Sequence, residues 1–187
     1  MLIRAETFSL LSAYATLALQ ALSFYLLVVL IASWNAYRIE GVLRRIVFRA
    51  REIALLSVSG ASLSSLYYSS VIGFEPCVLC WYQRIFMFSL VFILGLAVVR
   101  RDDNIIDYAL LLCGVGMLIS AYHSSLQFIG SSSSLPCSAE GTSCLKLYVL
   151  EFGYISIPIM CLTIFAWVMF VLIARRHFLK IGALFRH

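Results

Sequence analysis

The residues best equipped for chemistry in this chain are cysteines. Cys77 and Cys80 stand three apart in "EPCVLCWYQR", and further along Cys137 and Cys144 enclose six residues. A thiolate is both a nucleophile and a metal ligand, so such pairs serve as structural bridges, metal sites or exchange sites. A C-x-x-C bridge closes so small a loop that it removes little chain entropy, which makes it a poor staple. A four-thiolate zinc site is open to the set, although the C-x6-C spacing lies outside the two to four residues usual in zinc knuckles. Exchange has positive support. "PCVLC" opens an apolar helix, Arg84 follows one turn beyond Cys80 on the same face, and a helix N-terminus and a nearby cation both lower a thiol's pKa. Arg84 has competing uses: it can snorkel to lipid phosphate, or pair with Glu75 or Glu151.

His123 is the other titratable candidate. Counted from Ile105 along a helix it rises about 27 Å, which brings it level with the C-x-x-C. A histidine there either acts in the site or hydrogen-bonds a neighbour or a headgroup. The serine run before Cys137 is a flexible lead, giving the second pair the mobility that exchange requires. Cys113 and Cys161 fall inside apolar stretches and are expected to be small inert hydrophobes.

A membrane must position these residues. Of the 187 residues 63% are apolar and 12% charged, and the mean hydropathy of +0.98 exceeds what a water-soluble core requires. Five stretches, at about 8–33, 53–74, 80–99, 105–127 and 153–174, approach the ~20 apolar residues that cross a bilayer. Lipid offers backbone groups no partner, so each is expected to be a helix; the short joints leave room for one transmembrane domain over 1–187. The joint after the first stretch carries Arg38, Arg44, Arg45, Arg49 and Arg51, which the positive-inside rule assigns to the cytoplasm. That first apolar run is longer than a signal core and lacks a small-residue cleavage site, so it is read as a retained helix entering from outside.

Alternation from there places eleven of the 14 Lys and Arg, and the C-terminus, on the cytoplasmic side. The four cysteines 77, 80, 137 and 144 fall outside, the latter two in a loop at about 128–152. Two pairs on an oxidising face point to disulfide chemistry. The basic residues flank helices, where they set orientation and meet membrane lipid, so the net charge of +5 implies no nucleic-acid partner.

"EPCVLCWYQRIFMF" opening one membrane helix, "YHSSLQFIG" ending the next, a cysteine pair in the loop between, and "FGYISIPIM" opening the last together resemble the DsbB family of disulfide-bond-forming quinone reductases, most closely its short-loop BdbC-like members. The resemblance covers about 53–175. It implies an all-α integral membrane protein of the bacterial inner (plasma) membrane with a four-helix transmembrane bundle core, to which the apolar stretch at 8–33 adds one N-terminal transmembrane helix. It implies a relay as well. A DsbA-like thioredoxin-fold oxidase would attack the Cys137–Cys144 disulfide through Cys137, and Cys144 would then attack Cys77. Cys80 would be released as a thiolate facing a quinone, ubiquinone or menaquinone. Arg84 would stabilise that thiolate and the reduced quinone, and His123 would lie near the quinone headgroup. No metal enters this scheme.

The extra helix departs from the family core. Its Ser9, Ser12, Thr16, Gln20 and Ser23 form one stripe, suited either to packing on other helices or to a dimer contact. Two other readings stand beside the relay. One is a vitamin K epoxide reductase-like enzyme, in which the membrane-edge C-x-x-C usually follows the loop pair; here it precedes it. The other is a non-enzymatic metal-handling membrane protein using the four outer thiols as ligands.

Overall fold

The computed structural model describes residues 2–33, 41–129 and 144–184. The regular elements among them are helices: α1 (Leu2–Ser33), α2 (Gly41–Phe48), α3 (Ala50–Ser70), α4 (Val78–Arg100), α5 (Ile106–Ile129) and α6 (Ile157–Leu184). Helices α3 to α6 each pack on the next, and α6 returns to α3, so the four close into a bundle; α1 lies outside it, along α6. Outward faces carry large apolar side chains such as Leu11, Phe24, Phe92 and Leu118, the inverse of a water-soluble surface. Spans within α1, α4, α5 and α6 are long and apolar enough to cross a membrane. The protein is a multi-pass helical membrane protein.

α3 has the length of a span, but Ser57, Ser59, Ser62, Ser64 and Ser65 dilute its apolar character. Several of these hydroxyls find protein partners: Ser62 donates to the carbonyl of Val58 at 2.8 Å, and Ser57 accepts from the Trp167 indole at 3.0 Å.

Two boundaries differ from expectation because of turns. α3 stops at Ser70, and Gly73, at φ +86°, reverses the chain while the Phe74 amide donates to the carbonyl of Tyr68. α6 starts at Ile157, not 153. Phe152 and Gly153 have φ of +51° and +77°, and Glu151 and Ile155 exchange both backbone hydrogen bonds at 2.9 Å around them. Pro158 then sits in the first helical turn, where its missing N–H leaves no bond broken.

The joint after α1 contains a helix that the composition did not announce. α2 forms because Ile46 and Val47 face the core, and the carbonyls of Val47 and Phe48 near its end accept hydrogen bonds from Arg175 Nη1. Arg175 also makes a two-pronged contact with Asp103, at 2.6 and 2.9 Å, while Arg51 lies 3.5 Å from the same carboxylate and Arg176 pairs with Asp107. This cluster marks the arginine end of the bundle; the described cysteines 77, 80 and 144 mark the other.

The polar stripe of α1 packs inward. Ser9 donates to Glu151 at 3.0 Å, Ser12 bonds Tyr68 at 2.6 Å, and Gln20 joins Thr163 and Tyr154 at 3.1 and 2.7 Å. Ser9, Ser12 and Gln20 are thus spent on the protein's own bundle and on the turn before α6, while Ser23 is buried with its hydroxyl unsatisfied among the described residues.

Candidate functional site

α4 sets the site by its first residues. Pro76 leads into Cys77, which stands as the N-cap in extended conformation, its carbonyl accepting the Trp81 amide at 3.1 Å. A three-residue step on a helix keeps side chains on one face. Cys77 and Cys80 accordingly meet as two thiols, and the Cys77 thiol donates to Cys80 Sγ across 3.2 Å.

α5 brings His123 to the same point. Its Nε2 lies 3.2 Å from the carbonyl oxygen of Cys144 and 3.7 Å from Cys77 Sγ, and its Nδ1 lies 3.5 Å from the Gln83 amide nitrogen. These contacts select a tautomer. A carbonyl can only accept, so Nε2 carries the proton; Nδ1 is then free to accept from Gln83. His123 and Gln83 are each 1% exposed, as is Cys144. A cavity of about 20 Å³ lies between Cys77, Cys80, His123 and Cys144, with Pro158 closing it from α6. That is space for one water.

The hydrogen bond to Cys80, followed by burial, pushes the Cys77 thiol up to about 12, against the smaller pull of His123. At Cys77 these contacts outweigh the lowering expected of a helix start. Cys77 is the donor of the pair, so it holds its proton more firmly than an isolated cysteine would.

Arg84 is buried one turn further on. Its Nε donates to Ser65 Oγ at 2.9 Å and its Nη2 to the Ser65 carbonyl at 2.7 Å, with the guanidinium 5.4 Å from the centre of the Trp81 ring. The structure thus anchors Arg84 on α3. A second cavity, about 50 Å³, is bordered by Cys80, Arg84, Gln83, Tyr68, Phe74 and Cys161. Cys80 borders both cavities, one toward Cys144 and one toward Arg84.

Among the sequence candidates, the structure gathers Cys77, Cys80, His123 and Cys144, and sets Arg84 on the far side of Cys80. Cys137 lies outside the described residues. Cys113 is fully buried in the core, as expected of an inert thiol, whereas Cys161 lines the cavity beside Arg84. Cys77, Cys80 and His123 also present donor atoms within 4.8 Å of one another, a spacing that can hold a metal ion.

Sequence reasoning passed over two residues. Gln83 carried a readable signal, a polar side chain in an apolar helix three residues after Cys80. Ser65 carried none, since its partner lies nineteen residues away on another helix.

Fold and site define a multi-pass helical membrane protein with paired thiols at one end of its bundle. The chain belongs to the DsbB family, whose model, described as "Disulfide bond formation protein DsbB", matches residues 49–175. It is 42% identical over 118 residues to a "Probable disulfide formation protein C 1" of Bacillus cereus, covering 61% of this chain and 85% of that one. It is 40% identical over 105 residues to the "Disulfide bond formation protein C" of Bacillus subtilis, covering 56% and 76%. A "SPbeta prophage-derived disulfide bond formation protein B" of Bacillus subtilis is 39% identical over 105 residues, covering 56% and 70%. No solved structure gives a significant match.

Proposed function

We propose that this protein is a thiol:quinone oxidoreductase that reoxidises a DsbA-like thioredoxin-fold oxidase at the outer face of a bacterial inner membrane, with its N-terminus outside, its C-terminus in the cytoplasm, and the whole chain acting as one domain. The observation that carries the reading is the position of Cys80 between two cavities, one shared with Cys77, His123 and Cys144, the other with Arg84.

The reduced partner attacks the Cys137–Cys144 disulfide, leaves as a disulfide itself, and the loop becomes a dithiol. The Cys144 thiolate attacks Cys77 of a Cys77–Cys80 disulfide, and Cys80 departs as a thiolate. Cys137 then displaces Cys77 from the mixed disulfide, restoring the loop bridge. Two electrons have moved to the helix-mouth pair, held as a Cys77 thiol and a Cys80 thiolate. His123 supports this transfer by holding the Cys144 carbonyl while its ring touches Cys77 Sγ.

The head of a quinone is placed beside Cys80 in this reading because Tyr68 and Phe74 offer apolar walls there and Arg84 a cation for a developing oxyanion. A bound quinone supplies an acceptor for two electrons and two protons. Such an acceptor is needed because a DsbA-type oxidant, near −120 mV, lies well above the usual cellular thiol pools, at 30 mV per about 1.4 kcal/mol.

The purified protein, given a reduced thioredoxin-fold oxidase and a soluble quinone analogue, should reduce the quinone. Cys80→Ser should abolish this, and quinone reduction that survives that change would sink the relay. The three clustered donors favour a second reading, metal handling, which predicts stoichiometric zinc or copper on the protein as isolated and no response to quinone.

A further inference from the structure

We propose that α1, which lies outside the family match, forms one wall of a lateral chamber for the apolar tail of the lipid-borne acceptor. The inference rests on the quinone reading above and deepens it.

A cavity of about 340 Å³ lies between α1, α3 and α6. It exists because α1 is seated on α6 and meets α3 at the cysteine end, where Phe8 packs on Tyr67 and Tyr68 and Ser12 bonds Tyr68. Toward the middle of the bilayer small residues face the gap: Ala15 on α1, and Gly60 and Ala61 on α3. A Cβ added at Gly60 would meet nothing within 4 Å. Ala15 and Gly60 are exposed, so the chamber opens sideways to lipid.

Hydroxyls in the lining are committed to protein partners. Ser12 and Thr16 donate to carbonyls one turn back, Ser57 accepts from Trp167, and Ser65 accepts from Arg84. What an occupant meets is mostly apolar, with Ser64 and the Cys161 thiol as further polar groups in the lining. The chamber adjoins the cavity beside Cys80, because Ser65, Tyr68, Met87, Ile157 and Cys161 border both. A thiol and a guanidinium thus stand next to a mostly apolar slot open to the bilayer. Its shape suits a molecule with a polar redox head and a long apolar tail, and α1 encloses a flank that the four-helix core leaves open.

The test fills the chamber from opposite walls with Gly60→Leu and Ala15→Phe, neither of which touches the thiols, His123 or Arg84. Leucine is a better helix former than glycine, so the first variant keeps its fold. With a prenyl-tailed quinone in lipid nanodiscs, each variant should raise KM at least tenfold. With a tail-free ring analogue, KM should stay within twofold of wild type. Prenyl-quinone extracted per mole of purified protein should fall severalfold in both variants. An unchanged ratio of the two KM values with unchanged bound quinone would overturn the chamber and assign the cavity to structural lipid, and equal loss with both quinones would overturn it too. A wild-type protein that reduces neither quinone removes the parent reading and this inference with it.

Discussion

Replacing His123 with phenylalanine probes how Cys144 is held against Cys77. The substitution withdraws the Nε2 bond to the Cys144 carbonyl, 3.2 Å, and the weaker Nδ1 contact with Gln83, 3.5 Å. Gln83 is 1% exposed, so loss of its partner leaves a buried amide at about 1–3 kcal/mol. The positioning effect is smaller: one neutral hydrogen bond is worth about 0.5–1.5 kcal/mol, which at 1.36 kcal/mol per tenfold slows transfer from the loop dithiol to the Cys77–Cys80 disulfide by about 2- to 13-fold. Rapid acid quench followed by alkylation and mass measurement reads that transfer directly, and thermal unfolding reads the fold. The double variant His123→Phe with Gln83→Leu separates the two effects, because replacing both polar partners by apolar groups is close to neutral for stability. It should recover the lost stability and leave transfer slow. A single variant that transfers at the wild-type rate with its fold intact, or a double variant that regains the rate, would refute the positioning role of His123.

Three further outcomes are expected. In the reduced protein Cys77 should resist iodoacetamide well above pH 8 because its thiol is pushed up to about 12, chiefly by the bond to Cys80; Cys80→Ser removes that cause, so Cys77 alkylation at pH 9 should speed up. Gly116→Ala should destabilise the α5–α6 contact by about 1–3 kcal/mol, since the new Cβ would fall 2.5 Å from Cζ of the fully buried Phe165, and a denaturation midpoint that fails to drop would contradict that packing. Burial alone would raise the Asp103 carboxyl, but Arg175 and then Arg51 outweigh it and hold it below its usual value. Its stabilising effect is therefore complete above the unfolded value of about 3.9 and is lost as pH falls through the lower folded value. Thermal stability in detergent should lose this increment below about pH 4, and Asp103→Asn should lower stability at pH 7 and flatten that acid step.

Much of the fold is legible from local composition. The apolar runs at 8–33, 80–99 and 105–127 became α1, α4 and α5 with shifts of a few residues, since transfer of a helix into lipid is decided by the residues of that helix alone. Boundaries moved where a turn intervened. Gly73 and the Phe152–Gly153 pair adopt left-handed backbone that hydropathy does not register, so α3 ends earlier and α6 begins later than the apolar runs. α2 went unread because its arginines mask the two residues, Ile46 and Val47, that reach the core.

The candidate site divides along the same line. Cys77, Cys80 and the helix mouth that joins them are written in six consecutive residues, and a helical repeat is enough to bring the two sulfurs together. Counting along α5 also sufficed to bring His123 level with them. The direction of each polar contact needed the bundle. Arg84 could have served Cys80, Glu75, Glu151 or lipid by its position alone, and the packing of α3 against α4 gave its hydrogen bonds to Ser65. The Cys144 carbonyl selects the tautomer of His123 only because the chain ahead of α6 returns to α5 at that height. The stripe on α1 specified a packing face without its partner, and α6 with the turn before it supplied one. Membrane residence, helical content and thiol chemistry followed from the sequence because they depend on neighbours along the chain. The tautomer, the anchor of Arg84 and the chamber under α1 came from tertiary structure, since each depends on side chains brought together by helices far apart in sequence.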